Sequence, residues 1–330
     1  MAERLQVRKT RGVTRWVVAL LAAAAVTASP AAGTSAQSPK RGGTVDFGPV
    51  SEPVCLNPLE LSCASGPHIG WVWEKVLPPA FALGPDFRRR PALVSEVTFT
   101  RTAPFTLTYT IRSQARWSDG VPVTAGDFLF SHRVALTQLS QDPLGALHRL
   151  VRSIRVVNSK TFRVILRGRT ADWRTLFTLV LPRHALAGQN LARIWTDRIN
   201  NPKTGRPIGS GPFLVERWER GKQLTLVRNP GYWGPHAAYL DRLVIRFCQQ
   251  ACGAPPPDEV LERLRAGAVD IAFARDTEIV PDLRRIRSAK VTSLRSNGWE
   301  HLTLRLGPGG HPALRNKLVR QALAYAIDRA

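Results

Sequence analysis

The segment from Tyr109 to Phe128 is the most informative about the fold and reads Tyr-Thr-Ile-Arg-Ser-Gln-Ala-Arg-Trp-Ser-Asp-Gly-Val-Pro-Val-Thr-Ala-Gly-Asp-Phe. Over 105–112 apolar residues alternate with threonine, which predicts a β-strand with one buried face. The tetrapeptide 117–120, Trp-Ser-Asp-Gly, predicts a tight turn because glycine accepts a positive φ. Thr124 and Asp127 have the spacing of a capping box. We therefore expect a strand, a turn and a capped helix in direct succession.

Segments on both sides of this stretch carry similar patterns. They predict further strands at 43–50, 160–166, 213–218, 224–228, 243–247, 269–274 and 302–306. They also predict helices at 69–76 and 259–266, the second with Asp258 as its N-cap and Gly267 at its end. Strands and helices mix without a regular alternation. The expected fold class is α/β (mixed α+β), built from more than one lobe.

The last segment, 317–330, carries an apolar stripe with the period of a helix. No glycine, asparagine or proline follows it as a stop signal. We expect this helix to dock against a further domain that the chain does not contain, and to expose its apolar face without it.

The chain is strongly basic, with 47 Lys and Arg against 24 Asp and Glu among 330 residues and a formal net charge of +23. Such a balance suits nucleic acid, an anionic lipid or an acidic ligand. The basic residues are spread along the chain with no run longer than Arg88-Arg89-Arg90. The simpler interpretation is an arginine-rich composition without a particular anionic partner.

The first 36 residues have the three-part pattern of a secretory signal peptide. Basic residues from Arg4 to Arg15 precede the apolar run Trp16–Val26, and small residues continue to Ala36. A membrane anchor needs about 20 apolar residues, so cleavage after Ala36 is favoured. Export argues against DNA or RNA as a partner.

The four cysteines, Cys55, Cys63, Cys248 and Cys252, form two local couples. In an oxidising compartment this pattern favours disulfides. Three connectivities are possible, and we favour Cys55–Cys63 with Cys248–Cys252. The Cys-x3-Cys spacing is also compatible with zinc, but no histidine lies near it in the sequence, so no metal site is predicted.

The sequence lacks the motifs that are typical of catalytic sites. Gly209-Ser210-Gly211 lacks the spacing of a nucleophile elbow, and the histidines show no His-x3-His pair. The sequence therefore predicts a non-enzyme with no catalytic residue and no cofactor.

Four stretches together resemble the signature segments of a transport family. They are 109–128, then Gly-Ser-Gly-Pro-Phe at 209–213 with Arg-Asn-Pro-Gly-Tyr-Trp at 228–233, Leu-Arg-Ala-Gly-Ala-Val-Asp-Ile at 264–271, and Val-Arg-Gln-Ala-Leu-Ala-Tyr-Ala-Ile-Asp-Arg at 319–329. They are similar to segments of the extracytoplasmic solute-binding proteins of the peptide and nickel ABC-transporter family, bacterial solute-binding protein family 5. The chain departs from the family at Leu56-Asn57-Pro58, where Leu-Asp-Pro is usual. Their turns and large aromatic residues indicate that these motifs are mainly structural.

The resemblance implies a two-lobed periplasmic-binding-protein fold of type II with an extra subdomain in lobe I. After the signal peptide at 1–36, it implies lobe I at 37–67 and 205–276 and the family-specific subdomain at 68–204. The remainder, 277–330, would hold the crossing segment and the start of an incomplete lobe II.

The resemblance also implies a ligand cleft between hinged lobes. Its walls would carry Ser62, Cys63, Ala64, Phe273, Ala274, Arg275, Asn297, Trp299 and Glu300. The implied function is capture of a small solute, most readily a peptide, by a monomer that delivers it to the membrane permease of an ABC importer. Two alternatives stay open, namely a truncated fragment that binds nothing and a basic protein that associates with anionic envelope polymers.

Overall fold

The computed structural model describes residues 40–64, 69–139, 143–235, 238–249, 256–274, 278–293 and 303–328. The predicted signal segment lies outside this part of the chain, and its cleavage stays a prediction. Within the described ranges, no helix combines the length and apolarity that a bilayer crossing requires.

The secondary structure mixes short helices with ten strands in the described residues. The order is β1 (Thr44–Val50), α1 (Leu61–Ala64), α2 (Ile69–Val76), β2 (Phe81–Leu83), β3 (Arg89–Pro91), β4 (Val94–Phe99), β5 (Thr106–Ile111), α3 (Ala125–Gln138), α4 (Pro143–Arg149), β6 (Val151–Asn158), β7 (Thr161–Leu166), α5 (Arg183–Leu186), β8 (Phe213–Glu219), β9 (Gln223–Arg228), β10 (Arg242–Phe247), α6 (Pro257–Arg265), α7 (Val280–Arg285) and α8 (Lys317–Ala326). Two short 3-10 helices lie at Ala171–Thr175 and Pro312–Arg315.

Two four-stranded sheets organise the described chain. The first has the order β1-β10-β9-β8, with β1 parallel to β10 and the other neighbours antiparallel. The second has the order β4-β5-β7-β6 and is antiparallel throughout. The mixed fold class predicted from the sequence is confirmed.

One hydrophobic core runs through both sheets. It joins Val215 and Leu226 of the first sheet to Leu107 and Phe162 of the second, all nearly inaccessible to solvent. A smaller cluster packs α6 against α7 through Val260 and Leu283. This core includes residues from both sides of the predicted junction between lobe I and its subdomain. The domain boundaries predicted from the sequence stay predictions.

The predicted helix start at Thr124 is confirmed. The Asp127 carboxylate accepts hydrogen bonds from the backbone N–H of Thr124 at 2.8 Å and of Arg183 at 2.8 Å. Because Asp127 is buried, desolvation raises the pKa of its carboxyl. This capping box therefore ties α3 to α5 as well as starting the helix.

Three local predictions are wrong. Asp258 is not an N-cap but lies inside α6, because Pro257 takes the first helical position, where its missing N–H costs nothing, and Pro256 precedes it. The predicted strand at 269–274 is reduced to a single bridge between Ile271 and Phe47. The described residues of the predicted strand at 302–306 form no strand.

The predicted disulfide between Cys55 and Cys63 is confirmed, with 5.0 Å between the two Cα atoms. It closes the irregular loop that follows β1 and leads into α1. Cys63 is fully buried and Cys248 is 7% exposed. Cys252 lies outside the described residues, so the second pairing stays a prediction.

We expect the double substitution Cys55→Ala/Cys63→Ala to lower the free energy of unfolding by about 2.5 kcal/mol, because the bond restricts a nine-residue loop in the unfolded chain. Urea unfolding followed by tryptophan fluorescence measures the change. Ser62→Ala in the same loop serves as the control. A loss no larger than that of the control would contradict a stabilising role for this bond.

The predicted last helix is confirmed as α8, which begins after Asn316, whose side-chain oxygen accepts from the Leu318 N–H at 2.9 Å. None of its described residues is buried, and Leu318 and Tyr325 are 70% and 88% exposed. In the described part of the chain its apolar stripe has no covering element.

Candidate functional site

A short extended segment beside β1 forms the edge of the first sheet. Asp270 and Ile271 donate their N–H groups to the carbonyl of Asp46, at 2.8 and 3.1 Å. In return, the Asp270 carboxylate accepts from the Asp46 N–H at 2.8 Å, and the Ile271 carbonyl accepts from Gly48 at 2.9 Å. The Asp-Ile end of the third signature segment therefore fixes this segment to β1.

Three aromatic side chains meet at this edge. The Trp71 ring lies 5.3 Å from Phe47 and 5.8 Å from Phe273 between centroids, with both pairs in edge-to-face geometry. Trp71 is 36% exposed and Phe273 is 44% exposed. An exposed aromatic cluster is a favourable contact surface for the apolar parts of a ligand. Phe47, Trp71 and Phe273 are called the aromatic cluster below.

Helix α2 positions Trp71 in this cluster. Its residues Ile69, Val72 and Val76 are buried at helical spacing, which places Trp71 off the core-facing stripe. The indole N–H of Trp73 donates to the Leu56 carbonyl at 2.9 Å and holds the preceding loop to the helix. The packing of α2 thus presents Trp73 to the loop and Trp71 to the sheet edge.

The disulfide-bearing loop leads into α1, and α1 contacts α2. Ser62 is exposed, and its hydroxyl donates to the Glu60 carboxylate at 3.3 Å. Cys63 is fully buried and disulfide-bonded, and its N–H donates to the Glu60 carbonyl at 3.0 Å, so in this structure it presents no surface to a ligand. Ala64 ends α1.

The remaining predicted site residues divide between two regions. Ala274 follows Phe273 and packs partly buried against the α6–α7 cluster. Arg275, Asn297, Trp299 and Glu300 lie outside the described residues. The structure therefore brings Phe273 together with Phe47 and Trp71, and the other two predicted walls of the cleft stay predictions.

Sequence reasoning missed Phe47 and Trp71. Trp71 had a usable signal, because it is a large aromatic residue off the apolar stripe of a predicted helix. Phe47 had none, since its role depends on the pairing of β1 with a segment more than 200 residues later.

The Trp-Ser-Asp-Gly turn is structural. Trp117 is 1% exposed, and Gly120 has φ +87°. The Asp119 carboxylate lies 2.8 Å from the Nε2 atom of His184. It also accepts a hydrogen bond from the side-chain amide of Asn201 at 3.4 Å. These two contacts fasten the turn to α5 and to the loop around 201, so they are not evidence for catalysis.

The Gly-Ser-Gly-Pro turn is structural as well. Ser210 is fully buried, donates to the Arg116 carbonyl at 2.8 Å and accepts from the Trp233 indole at 2.9 Å. A hydroxyl engaged in this way is not an activated nucleophile. Among the described residues, no group of three His, Cys, Asp or Glu side chains could hold a metal ion.

A family model described as "Bacterial extracellular solute-binding proteins, family 5 Middle" matches residues 89–330. Among curated relatives, protein XP55 of Streptomyces lividans is 26% identical over 96% of this chain and 57% of its own length. The oligopeptide-binding protein OppA of Mycobacterium bovis is 26% identical over 87% of this chain and 47% of its own length. The chain spans about half the length of these relatives.

Solved structures agree with this match. The structure of NikZ from Campylobacter jejuni in complex with Ni(L-His) has a TM-score of 0.69 and 21% identity, and covers 86% of this chain and 53% of that one. This likeness concerns the fold, which is that of two-lobed periplasmic binding proteins. Since the family model matches well over half of the sequence, the chain belongs to the bacterial extracellular solute-binding proteins of family 5.

Proposed function

We propose that this chain is the substrate-binding component of an ABC importer outside the cytoplasm, where it captures a small peptide and delivers it to a membrane permease. Membership of family 5 supports a solute-binding role rather than an enzymatic one. Relatives named as oligopeptide-binding proteins support a peptide as the solute. We propose that it works as a monomer.

The observation that carries the peptide assignment is the backbone next to the aromatic cluster. Ile271 is bonded to β1, but in the described structure no hydrogen bond engages the backbone N–H or C=O of Ala272 or Phe273. An extended peptide can add to such an edge as a further strand through main-chain hydrogen bonds. The neighbouring rings of Trp71 and Phe273 would then contact its side chains with little dependence on sequence.

The exposed face of α8 favours a second candidate function. With Leu318 and Tyr325 largely exposed, this surface is suited to protein contact rather than to solute capture. If the α8 surface serves protein contact, the aromatic cluster of this chain is only one wall of a cleft. The chain by itself then binds no solute, since enclosure provides much of a pocket's affinity.

Calorimetric titration of the chain with a pool of short peptides of mixed sequence separates the two candidates. Saturable heat with one peptide per chain supports the receptor function. The lack of heat with every peptide, from a chain whose cooperative unfolding shows that it is folded, rejects peptide capture by this chain and supports the second candidate.

We expect Trp71→Ala to weaken binding of a captured peptide about tenfold or more, because buried aromatic contacts dominate such interfaces. Tyr239→Ala serves as the matched control, since Tyr239 is 41% exposed and lies outside the aromatic cluster. Equal affinity of the Trp71 variant and the control would show that the aromatic cluster is not the solute site.

A further inference from the structure

A cavity of about 510 Å³ lies at one end of the β4-β5-β7-β6 sheet. Its wall contains four arginines, together with a short apolar floor that includes Phe105 and Leu166. The arginines are Arg101, Arg152, Arg167 and Arg169. The cavity shares no residue with the aromatic cluster, so its function is separate from the proposed solute site.

Hydrogen bonds fix the backbone around this cavity before any ligand arrives. The turn between β4 and β5 is closed by the Thr100 hydroxyl, which donates to the Pro104 carbonyl at 2.9 Å and accepts from the Thr106 N–H at 2.9 Å. The chain after β7 is held by the backbone N–H of Arg167, which donates to the Leu150 carbonyl at 2.8 Å. The two turns that carry the arginines are therefore preorganised.

The cavity has no acidic residue in its lining. Eight other arginines form ion pairs in the described part of the chain, but among the described residues these four form none. A guanidinium stays charged at any physiological pH. Four like charges around one cavity repel each other, so an anion placed among them is stabilised by all four.

The positive surface continues along the sheet from this cavity. Arg155 of β6 and Arg163 of β7 are direct cross-strand partners, and both are exposed. Like charges in directly opposed positions destabilise a sheet. A fold that keeps this pair beside the four arginines of the cavity has an uncompensated positive potential on this part of the β4-β5-β7-β6 sheet.

We propose that this arginine-lined cavity is a binding site for a ligand that carries more than one phosphate group. Guanidinium groups bind phosphate oxygens through paired, charge-assisted hydrogen bonds. Four of them exceed the needs of a single carboxylate, and the volume accommodates a di- or triphosphate chain or a phosphorylated head group. The apolar floor accounts for the ligand's uncharged part.

Calorimetry of the full chain in a phosphate-free buffer tests this site with two probes. The first is inorganic tripolyphosphate, and the second is vesicles that contain cardiolipin, an anionic lipid with two phosphate groups, compared with vesicles of phosphatidylcholine. The test variant is Arg167→Gln/Arg169→Gln. The matched control is Arg193→Gln/Arg206→Gln, which removes the same charge from two exposed arginines outside the cavity.

We expect the cavity variant to bind at least about tenfold more weakly, since hydrogen bonds between charged groups are the strong ones, and the control to bind within about twofold of the wild type. Selective loss with tripolyphosphate identifies a free phosphorylated ligand, and selective loss with anionic vesicles alone identifies a lipid head group. Binding to neither probe, or an equal loss in both variants, overturns the proposal. All four substituted residues are exposed, so unchanged unfolding midpoints confirm that the variants are folded.

Discussion

Replacing Gly211 by alanine will lower the free energy of unfolding by about 3 kcal/mol or more, a loss of the size seen when a rigid structure is overpacked. A Cβ atom at this position would overlap the Lys75 carbonyl oxygen and lie 2.7 Å from the carbonyl carbon. The turn cannot move away, because the N–H groups of Ser210 and Gly211 both donate to the Val76 carbonyl, at 3.0 and 3.1 Å. Both clashing partners are backbone, so no side-chain rotation relieves the overlap.

The matched control is Gly70→Ala, in the helix that Gly211 contacts. Nothing lies within 4 Å of a Cβ built at Gly70, and alanine favours a helix over glycine by up to about 1 kcal/mol. We therefore expect opposite signs for two chemically identical substitutions. Equilibrium unfolding in urea gives both values. If Gly211→Ala costs less than 1 kcal/mol, the turn is not held as tightly as its contacts indicate.

Acidification from pH 6.5 to pH 4 will remove about 3 kcal/mol of stability through His148. The side chain is 4% exposed, packs against the Phe177 ring at 5.5 Å, and has its Nδ1 atom 3.0 Å from that of His132. Burial, and next the neighbouring His132, lower the pKa of His148 to about 4. The unfolded chain binds this proton from about pH 6.5 downward, while the folded chain resists it, so stability falls with pH across this window.

Two further groups change the stability in the same region of pH. Burial also lowers the pKa of His132, which adds to the loss, whereas burial raises the pKa of Asp127, which offsets part of it near the acidic end. The comparison between wild type and His148→Gln isolates the contribution of His148, because the variant keeps His132 and Asp127. Urea unfolding at several pH values should show a shallower slope for His148→Gln and the wild-type slope for the exposed control His311→Gln. Parallel slopes for wild type and His148→Gln would contradict the assignment.

The elements that sequence reasoning found are those with a strong local signal. The alternation at 105–112 and the capping box at Thr124 specify a strand and a helix start within a few residues, and the structure has both. The prediction of Asp258 as the N-cap was wrong because Pro257, directly before it, is an equally good first residue of a helix. The prediction of a strand at 269–274 failed because only Asp270 and Ile271 bond to β1, which gives one bridge rather than a ladder.

The candidate sites were harder to predict because they are assembled from distant segments. Phe273 was found through its place after the Asp-Ile motif, and Trp71 was missed although it lies off the apolar stripe of its helix. The arginine-lined cavity had no sequence signal, since its side chains come from three separate turns or strand ends that only the folded sheet brings together. In a chain with basic residues throughout, these four do not differ from their neighbours in local pattern.

The single core that joins the two sheets limits how this protein can be recombined. A chimera that exchanges 68–204 for the equivalent part of a relative would cut between Phe162 and Val215, which belong to one buried cluster. It would also separate Ser118 from the Pro207 carbonyl, which its hydroxyl contacts at 3.0 Å. Grafts meant to transfer ligand preference should therefore move both sheets as one module, with the crossover placed in exposed connections beyond them.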